Sequence, residues 1–219
     1  MNKPDDDTQT RTEHGTAQGG RPLGPRALRT RTKLLDVTRD LLAELPVRDV
    51  SVVEIARRAG TSPATFYQYF ADVEEAVLEL ARAAEEAPVI REPLAADWSG
   101  PKGLDAVRVL VDAFVRHWDA NHAVLLIRNV AAEQGDRRFR KLRIHALRPL
   151  IDELARKVAA SEPKGRGLQP VAAAAALSSI LERLAAYHAE IEVLGVSRDD
   201  LVETCARIMH QVVAPERSA

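Results

Sequence analysis

A short segment between Ser51 and Phe70 concentrates side chains that could recognise another molecule. Hydroxyl and amide groups of this kind hydrogen-bond phosphate oxygens and the edges of nucleotide bases. The candidate contacts, which include one small alanine among the polar groups, are Ser51, Thr61, Ser62, Ala64, Thr65, Tyr67, Gln68 and Tyr69. Two basic residues upstream, Arg21 and Arg26, could neutralise phosphate charge. The chemistry that these residue types offer is hydrogen bonding to phosphates or to base edges.

Helix-end signals divide this segment into two short helices. Ser51 and Glu54 match the S-x-x-E capping box, and Gly60 supplies the left-handed residue that ends the first helix. Ser62 then caps a second helix that has Pro63 in its first position. Two capped helices joined by a short turn containing glycine predict a helix-turn-helix, whose second helix enters the major groove.

Helical periodicity without β-alternation predicts an all-α chain of about nine helices. The predicted helices cover about residues 26–45, 52–59, 63 onwards, 72–87, 104–118, 122–134, 139–158, 169–194 and 197–213. The stretches 88–101 and 163–169, rich in proline or glycine, are predicted loops. Residues 1–25 are predicted to form a disordered arm.

Composition and charge narrow the class of protein. The single cysteine, Cys205, excludes an internal disulfide framework and indicates a reducing compartment. No stretch approaches the ~18 consecutive apolar residues of a membrane span, and the N-terminal stretch lacks the apolar core of a signal peptide. We therefore expect a cytoplasmic protein without a membrane partner. Residues 21–70 carry nine basic and five acidic side chains, whereas the net charge of the whole chain is −1, as expected if this part alone contacts phosphates.

Between Ile55 and Phe70 the sequence resembles the signature of the TetR family of transcriptional regulators. The matching residues are Ile55, Ala56, Ala59, Gly60, Thr61, Ser62, Thr65, Phe66, Tyr67, Gln68, Tyr69 and Phe70. The segment 41–46 resembles the branch that contains the mycobacterial ethionamide-resistance regulator. The family usually has a phosphate-contacting lysine at the start of its fourth helix, where this chain has Val73. One contact with the DNA backbone is therefore predicted to be missing.

The resemblance implies a DNA-binding domain over residues 26–71 and a ligand-binding and dimerisation domain over residues 72–219. It also implies a homodimer that represses transcription from a palindromic operator and leaves the DNA when a small, lipophilic effector binds. Two alternatives stay open. One is an activator or corepressor-dependent regulator of the same fold, and the other is a helical interaction module without DNA binding.

The resemblance implies an effector site between helices of the C-terminal part, and four candidates, Trp118, Arg128, Tyr187 and His188, place polar tips on or beside apolar helix stripes. The candidates are Trp98, Phe114, Trp118, Arg128, Tyr187 and His188. Buried polar tips need hydrogen-bond partners, which a ligand can supply; ordinary core packing is the alternative for each residue. The basic run from Arg137 to Arg148 is either a solvated helix face or a site for an anionic part of the effector, such as a coenzyme A phosphate, or for a partner.

Neither catalysis nor metal binding is predicted. The sequence lacks the GxSxG, phosphate-loop and HExxH motifs. Its carboxylates are predicted to lie on solvated helix faces beside basic residues, as for Glu153 near Lys157 and Glu182 near Arg183. No histidine lies three or four residues from another histidine or from Cys205, the spacing that metal ligands on one helix face need. We expect no metal, no cofactor and no enzymatic activity.

The last two predicted helices are expected to form the dimer interface, as a four-helix bundle across a two-fold axis. The last helix has two apolar sides, and one core needs only one of them, so the other should meet a partner. The predicted interface residues are Leu177, Leu181, Leu184, Leu201, Cys205, Ile208 and Val212.

Overall fold

The computed structural model describes residues 23–85, 90–99, 102–161 and 167–213, and most of them are helical. In chain order the α-helices are α1 (Pro25–Glu44), α2 (Val52–Ala59), α3 (Pro63–Tyr67), α4 (Val73–Glu85), α5 (Arg91–Ala95), α6 (Gly103–Glu133), α7 (Arg137–Ser161), α8 (Pro170–Glu192) and α9 (Arg198–Val213). A short 3-10 helix, Val47–Asp49, lies between α1 and α2. The described ranges contain no β-strand, and the predicted all-α fold is confirmed. Residues 1–22 of the predicted arm lie outside the described residues.

The helices belong to two compact units, which divide between Glu79 and Leu80. The first unit contains α1, α2, α3 and the beginning of α4, and the second contains the end of α4 and the helices α5 to α9. The division therefore falls within α4, whereas the sequence-based boundary after residue 71 lies just before this helix.

Local caps determine the bounds of α2 and α3 in the first unit. The hydroxyl of Ser51 accepts a hydrogen bond from the N–H of Glu54, and the hydroxyl of Ser62 accepts one from the N–H of Thr65, both at 3.2 Å. Gly60 ends α2 with a φ of 66°, which glycine adopts without steric cost. These are the predicted helix ends. The core of this unit includes the buried side chains of Leu34, Leu41, Ile55, Ala56, Phe66 and Phe70.

In the second unit α6 packs against α5, α7, α8 and α9. Its buried residues recur at helical spacing, because one side of the helix faces the core. The buried residues on this side of its first half are Val107, Leu110, Val111, Phe114 and Trp118. The largest fully buried side chains that the other helices of this unit add are Phe139, Leu150, Leu154 and Leu181.

In the second unit one predicted break is a kink and one predicted loop contains a helix. The helices predicted over 104–118 and 122–134 are the two parts of α6, which meet at a kink at Asn121 (φ −128°, ψ 18°), within the predicted break. The side-chain amide of Asn121 donates to the carbonyl of His117 at 2.9 Å. The short helix α5, in contrast, lies within the predicted loop 88–101. The described residues thus contain nine α-helices, as predicted, although not the same nine.

The start of α6 is held by a close approach of two backbones. A Cβ atom on Gly103 would overlap the carbonyl group of Trp98. The same Trp98 oxygen lies 3.1 Å from Nε2 of His210 in α9. The ammonium of Lys157 in α7 lies 4.7 Å from the centroid of the Trp98 ring and donates to the carbonyl of Ala96 at 2.7 Å. The segment between α5 and α6 is therefore tied to α7 and α9.

Candidate nucleic-acid interface and cavity

α3 is anchored to the core of the first unit on one side and presents polar groups on the other. Phe66 is fully buried, and its ring centroid lies 5.4 Å from that of Phe70. Tyr67 is 51% exposed, and Ala64 and Gln68 are also exposed. An anchored helix with exposed hydrogen-bonding groups has the arrangement that readout of a DNA groove requires.

Several predicted contact hydroxyls already stabilise the local fold. Ser51 and Ser62 cap α2 and α3, and the hydroxyl oxygens of Ser62 and Thr65 lie 3.0 Å apart. The hydroxyl of half-buried Thr61 donates to the carbonyl of Ala56 at 3.5 Å. A hydroxyl that accepts a hydrogen bond as a cap retains its own proton, so exposed Ser51 can still donate to a phosphate.

Two arginines of α2 are held by carboxylates of the same unit. The Arg57 guanidinium donates to both oxygens of Glu54 at 2.8 and 2.7 Å. Arg58 donates to Glu54 at 2.8 Å and to Glu44 at 2.9 Å. The hydrogen bonds from Arg57 and Arg58 hold the pKa of Glu54 at about 2. Two cations and two anions balance here, so α2 adds little net attraction for phosphate.

The remaining predicted contacts differ in accessibility. Arg26 is exposed near the start of α1, and Tyr69 is half-buried. Arg21 lies outside the described residues. Val73, the first residue of α4, is half-buried and brings no positive charge to this position. The missing phosphate contact stays a prediction.

A cavity of about 810 Å³ lies in the second unit, within the size range of small-molecule sites. Its buried apolar lining residues, which we call the floor, are Leu94, Phe114, Trp118, Leu125 and Leu150. Its exposed basic lining residues, which we call the mouth, are Arg82, Arg91, His145 and Arg156. Half-buried His117 also lines the cavity, and burial lowers the pKa of its imidazole. The cavity therefore combines an apolar floor with a cationic mouth.

A buried ion network adjoins the floor. Arg128 is 3% exposed, and its Nη2 lies 3.2 Å from Oε1 of Glu182. Arg128 also pairs with Glu85, Arg143 pairs with Glu182, and the amide of Asn129 donates to Glu182 at 3.1 Å. Burial lowers the pKa of Arg128 to about 10, although Glu182 opposes the shift. Arg128 is thus charged at neutral pH, and the network holds two cations and two anions.

The prediction that Glu153 and Glu182 lie on solvated helix faces was wrong. Glu182 is 6% exposed, and the side chains of Glu153 and Lys157 are 13% and 15% exposed. A sequence signal existed for Glu182. It follows Ser178 by four residues and precedes Ala185 by three, and both are buried, so it lies on the stripe of α8 that faces the core.

Half of the predicted effector residues line this cavity. Phe114, Trp118 and Arg128 do so. Trp98 does not, because it packs under the segment that leads into α6, where its indole N–H donates to the carbonyl of Pro93 at 3.0 Å.

Tyr187 and His188 also lie away from the cavity lining. The guanidinium carbon of Arg183 lies 3.7 Å from the centroid of the Tyr187 ring. The two ring nitrogens of His188 lie 2.7 Å from carboxylate oxygens of Asp119 and Glu192. Partners from the protein itself, and not a ligand, satisfy the polar tip of His188.

The predicted dimer residues required a correction. Four of them are at most 9% exposed within the protomer and have almost no surface for a partner: Leu177, Leu181, Leu184 and Cys205. Their side chains belong to the core of their own unit, and burial raises the pKa of the Cys205 thiol to about 11. Leu201 and Val212 are half-buried, and Ile208 is 41% exposed. The exposed aliphatic residues of α8 are Val171 and Ile180; the sequence analysis had placed Ile180 on the apolar face of this helix but had not considered Val171.

We examined the described ranges for metal-binding clusters and for helices that could span a membrane. These ranges hold no group of three or more His, Cys, Asp or Glu side chains that could bind a metal ion. They also hold no helix that is long and apolar enough to span a membrane.

Solved structures with a similar fold include regulators from several bacteria. FadR, the fatty acid degradation regulator of Bacillus halodurans, is 16% identical with a TM-score of 0.62, over 91% of this chain and 100% of that one. A tetR-family regulator from Streptomyces coelicolor is 18% identical with a TM-score of 0.65, over 87% and 82%. FadR from Bacillus subtilis, solved in complex with stearoyl-CoA, is 17% identical with a TM-score of 0.59, over 83% and 97%. No curated protein matches the sequence.

Two family models match successive parts of the chain. Residues 34–80 match the model of bacterial regulatory proteins of the tetR family. Residues 93–219 match the tetracyclin repressor-like C-terminal domain. The first match covers the capped helices α2 and α3, and the second covers the helices that enclose most of the cavity. The chain belongs to the TetR family and is a DNA-binding transcriptional regulator.

Proposed function

We propose that this regulator represses transcription as a homodimer on a palindromic operator, and that a small, lipophilic effector in the cavity releases it from the DNA. The observation that carries the proposal is the cavity of about 810 Å³ with its apolar floor. Burial of an apolar chain against such a floor contributes about 25 cal/mol per Å². The stearoyl-CoA bound to FadR of Bacillus subtilis has a long apolar chain, which supports an effector of this character here.

The operator side of the proposal rests on α3. Exposed Tyr67 and Gln68 would contact base edges or phosphates in the major groove, and Ser62 and Thr65 would contribute at the start of the helix. Family members bind operators as dimers, and two recognition helices one DNA turn apart read a palindrome. Because operator DNA lies in the bacterial cytoplasm, we propose that the protein acts there, without a cofactor and without chemical change to the effector.

For the dimer we propose a revised surface on α8 and α9. The exposed residues of α8 from position 171 to 180 form a continuous stripe of small or apolar side chains: Val171, Ala172, Ala175, Ala176, Ser179 and Ile180. Small side chains allow helix backbones to approach closely. Ile208 offers a similar exposed surface on α9. A second copy of the chain would cover these apolar groups across a two-fold axis.

The proposal is tested by filling the cavity. Ala146 is half-buried in the cavity wall, whereas Ala159 is exposed on the same helix and outside the cavity lining. The variant A146F should bind the DNA upstream of its own gene like the wild type, but should no longer take up the neutral apolar probe N-phenyl-1-naphthylamine. A159F, the matched control, should keep both properties.

Release from DNA is then measured by fluorescence anisotropy with stearoyl-CoA as the first ligand. We expect release of the wild type and of A159F, but not of A146F. Equal release of all three proteins would exclude the cavity as the effector site. Tighter DNA binding with the ligand would identify a corepressor-dependent regulator instead.

A further inference from the structure

α7 is strongly basic in a chain whose net charge is −1. Between Arg137 and Ser161 it carries eight lysines and arginines and only two acidic residues. In contrast, α6, α8 and α9 each carry more acidic than basic side chains. Carboxylates of the protein pair with part of this charge, at Arg138, Arg143, Arg148 and Arg156. A binding partner of opposite charge would compensate the remaining excess, which otherwise costs stability through repulsion.

The basic residues of α7 form a row that reaches the cavity. Arg137, Lys141, His145 and Arg148 are exposed and recur at spacings of four, four and three residues, so they share one face of the helix. His145 belongs to the mouth of the cavity. From Arg137 to Arg148 the row extends about 16 Å, at about 1.5 Å per residue. This length exceeds what one carboxylate or one phosphate can occupy.

The mouth continues the same charge around the cavity opening. Arg82, Arg91 and Arg156 line the cavity and are exposed. Glu153, which also lines the cavity, pairs with Arg156 of the mouth and with Lys157, so it compensates part of this charge. Arginine forks bind phosphate oxygens in a bidentate manner. The cavity thus changes from apolar at the floor to cationic at the mouth.

The proline within α7 affects the backbone of a mouth residue. Pro149 lines the cavity within α7. Because proline has no N–H, the carbonyl of His145 lacks its usual helical donor. A ligand that passes from the floor to the mouth can supply that donor with an N–H or O–H group.

We propose that the effector is an amphiphile with a polyanionic head group of phosphate esters, held by the mouth and by the row Arg137–Lys141–His145–Arg148. Its apolar chain lies on the floor, and its phosphates lie outside the cavity along α7. The inference rests on the proposed function, because the cavity must hold the effector. It adds the chemistry of the head group and the residues that select it.

The test uses the full chain and ligands that share one twelve-carbon tail. The ligands are dodecanol, dodecanoate, dodecyl phosphate and dodecanoyl-coenzyme A, each below its micelle concentration. Dissociation constants are measured by calorimetry, and operator release is measured by anisotropy. We expect affinity to increase with the negative charge of the head, by about tenfold or more from dodecanoate to the coenzyme A thioester. The affinity for the thioester should also decrease with salt.

Removing charges from α7 tests whether this site binds the head group, as opposed to a general attraction between the protein and anions. K141Q/R148Q should weaken binding of dodecanoyl-coenzyme A by about tenfold, or about 1.4 kcal/mol, and should leave dodecanol unchanged. R140Q removes one positive charge from an exposed residue about 100° around the helix from Lys141, and should have little effect. All three proteins should bind the operator equally in the absence of ligand.

The outcomes distinguish the two proposals. Equal affinity for all four heads, or equal loss in R140Q and K141Q/R148Q, would overturn the head-group inference and leave the lipophilic effector intact. Failure of all lipophilic ligands to bind would overturn the proposed function itself. Weaker operator binding by K141Q/R148Q without ligand would indicate that the row binds DNA. That result would contradict the inference.

Discussion

The guanidinium of Arg128 and the carboxylate of Glu182 form an ion pair in which neither side chain is more than 8% exposed. The pair joins α6 to α8 and extends through Arg143 to α7. Charges this deeply buried must be matched, because leaving one without its partner costs more than the pair itself contributes. The pair therefore specifies how these helices pack beside the cavity.

Replacement of Glu182 should destabilise the protein. In E182Q the charges of Arg128 and Arg143 lose their shared carboxylate, and the free energy of unfolding should fall by about 3 kcal/mol. Glu190, exposed on the same helix, provides the control E190Q, which should change it by less than about 0.5 kcal/mol. Both are measured by urea denaturation. Equal midpoints for E182Q and the wild type would show that the network is not important for stability.

The recognition face is tested by Tyr67→Ala. Because Tyr67 is 51% exposed, the fold should survive, and loss of its contact should weaken operator binding by about 1–3 kcal/mol. Val47→Ala, which shortens an exposed side chain outside α3, should leave affinity unchanged. Binding is followed by anisotropy at several salt concentrations. Unchanged affinity of a folded Tyr67→Ala protein would move the DNA contacts away from this face.

The revised dimer surface predicts different outcomes for neighbouring residues. Ile180→Glu and Ile208→Glu place charges on residues that are 44% and 41% exposed, so these variants should fold as monomers with weak operator binding. Leu181→Glu places a charge at a residue that is fully buried, and should unfold the protein instead. Val109→Glu, on exposed α6 surface, should remain dimeric. Sedimentation velocity and circular dichroism separate these cases, and a dimeric Ile180→Glu, Ile208→Glu double variant would refute the interface.

His188 predicts a pH-dependent stability. Burial alone would lower the pKa of its imidazole, but hydrogen bonds with Asp119 and Glu192 outweigh this effect and raise it. Arg198 also lies close to this group, with its Nε 3.9 Å from Oδ2 of Asp119. The protonated form is therefore favoured in the folded state, so its contribution is complete below about pH 6.5 and is lost as the pH rises through the folded-state pKa.

The measurement is urea denaturation between about pH 6 and pH 8, with a slope below the one-proton limit of about 1.4 kcal/mol per pH unit. His188→Gln should flatten the decline, whereas His122→Gln, at an exposed residue of α6, should not. A decline of the same slope in His188→Gln would assign it to other groups. An NMR titration of the His188 ring gives the pKa directly.

The sequence predicted the first unit more closely than the second, for a physical reason. The caps at Ser51 and Ser62 and the turn at Gly60 depend on residues within a few positions along the chain, so their signals are local. The contacts of Glu182 and His188 come from α6 and α7, tens of residues away. Helical periodicity indicates that a residue lies near a core. It does not identify which residues of the other helices contact that residue.

The same limit explains the effector and dimer residues. Trp98 was expected at the effector, but it lies outside the cavity lining, and its indole N–H donates to the carbonyl of Pro93. Leu181 and Cys205 were expected at a second copy because the last helix has two apolar sides, but packing within the protomer buries both residues. Assigning an apolar stripe to the core or to a partner requires the positions of all neighbouring helices.

The contact between Gly103 and the Trp98 carbonyl has an evolutionary consequence. No side chain fits at position 103, whereas floor residues such as Phe114 and Leu125 can exchange for others of similar volume. If the cavity holds the effector as proposed, changes at the floor can alter which molecule is bound while Gly103 is retained. Among related regulators we therefore expect position 103 to stay glycine and the floor residues to vary.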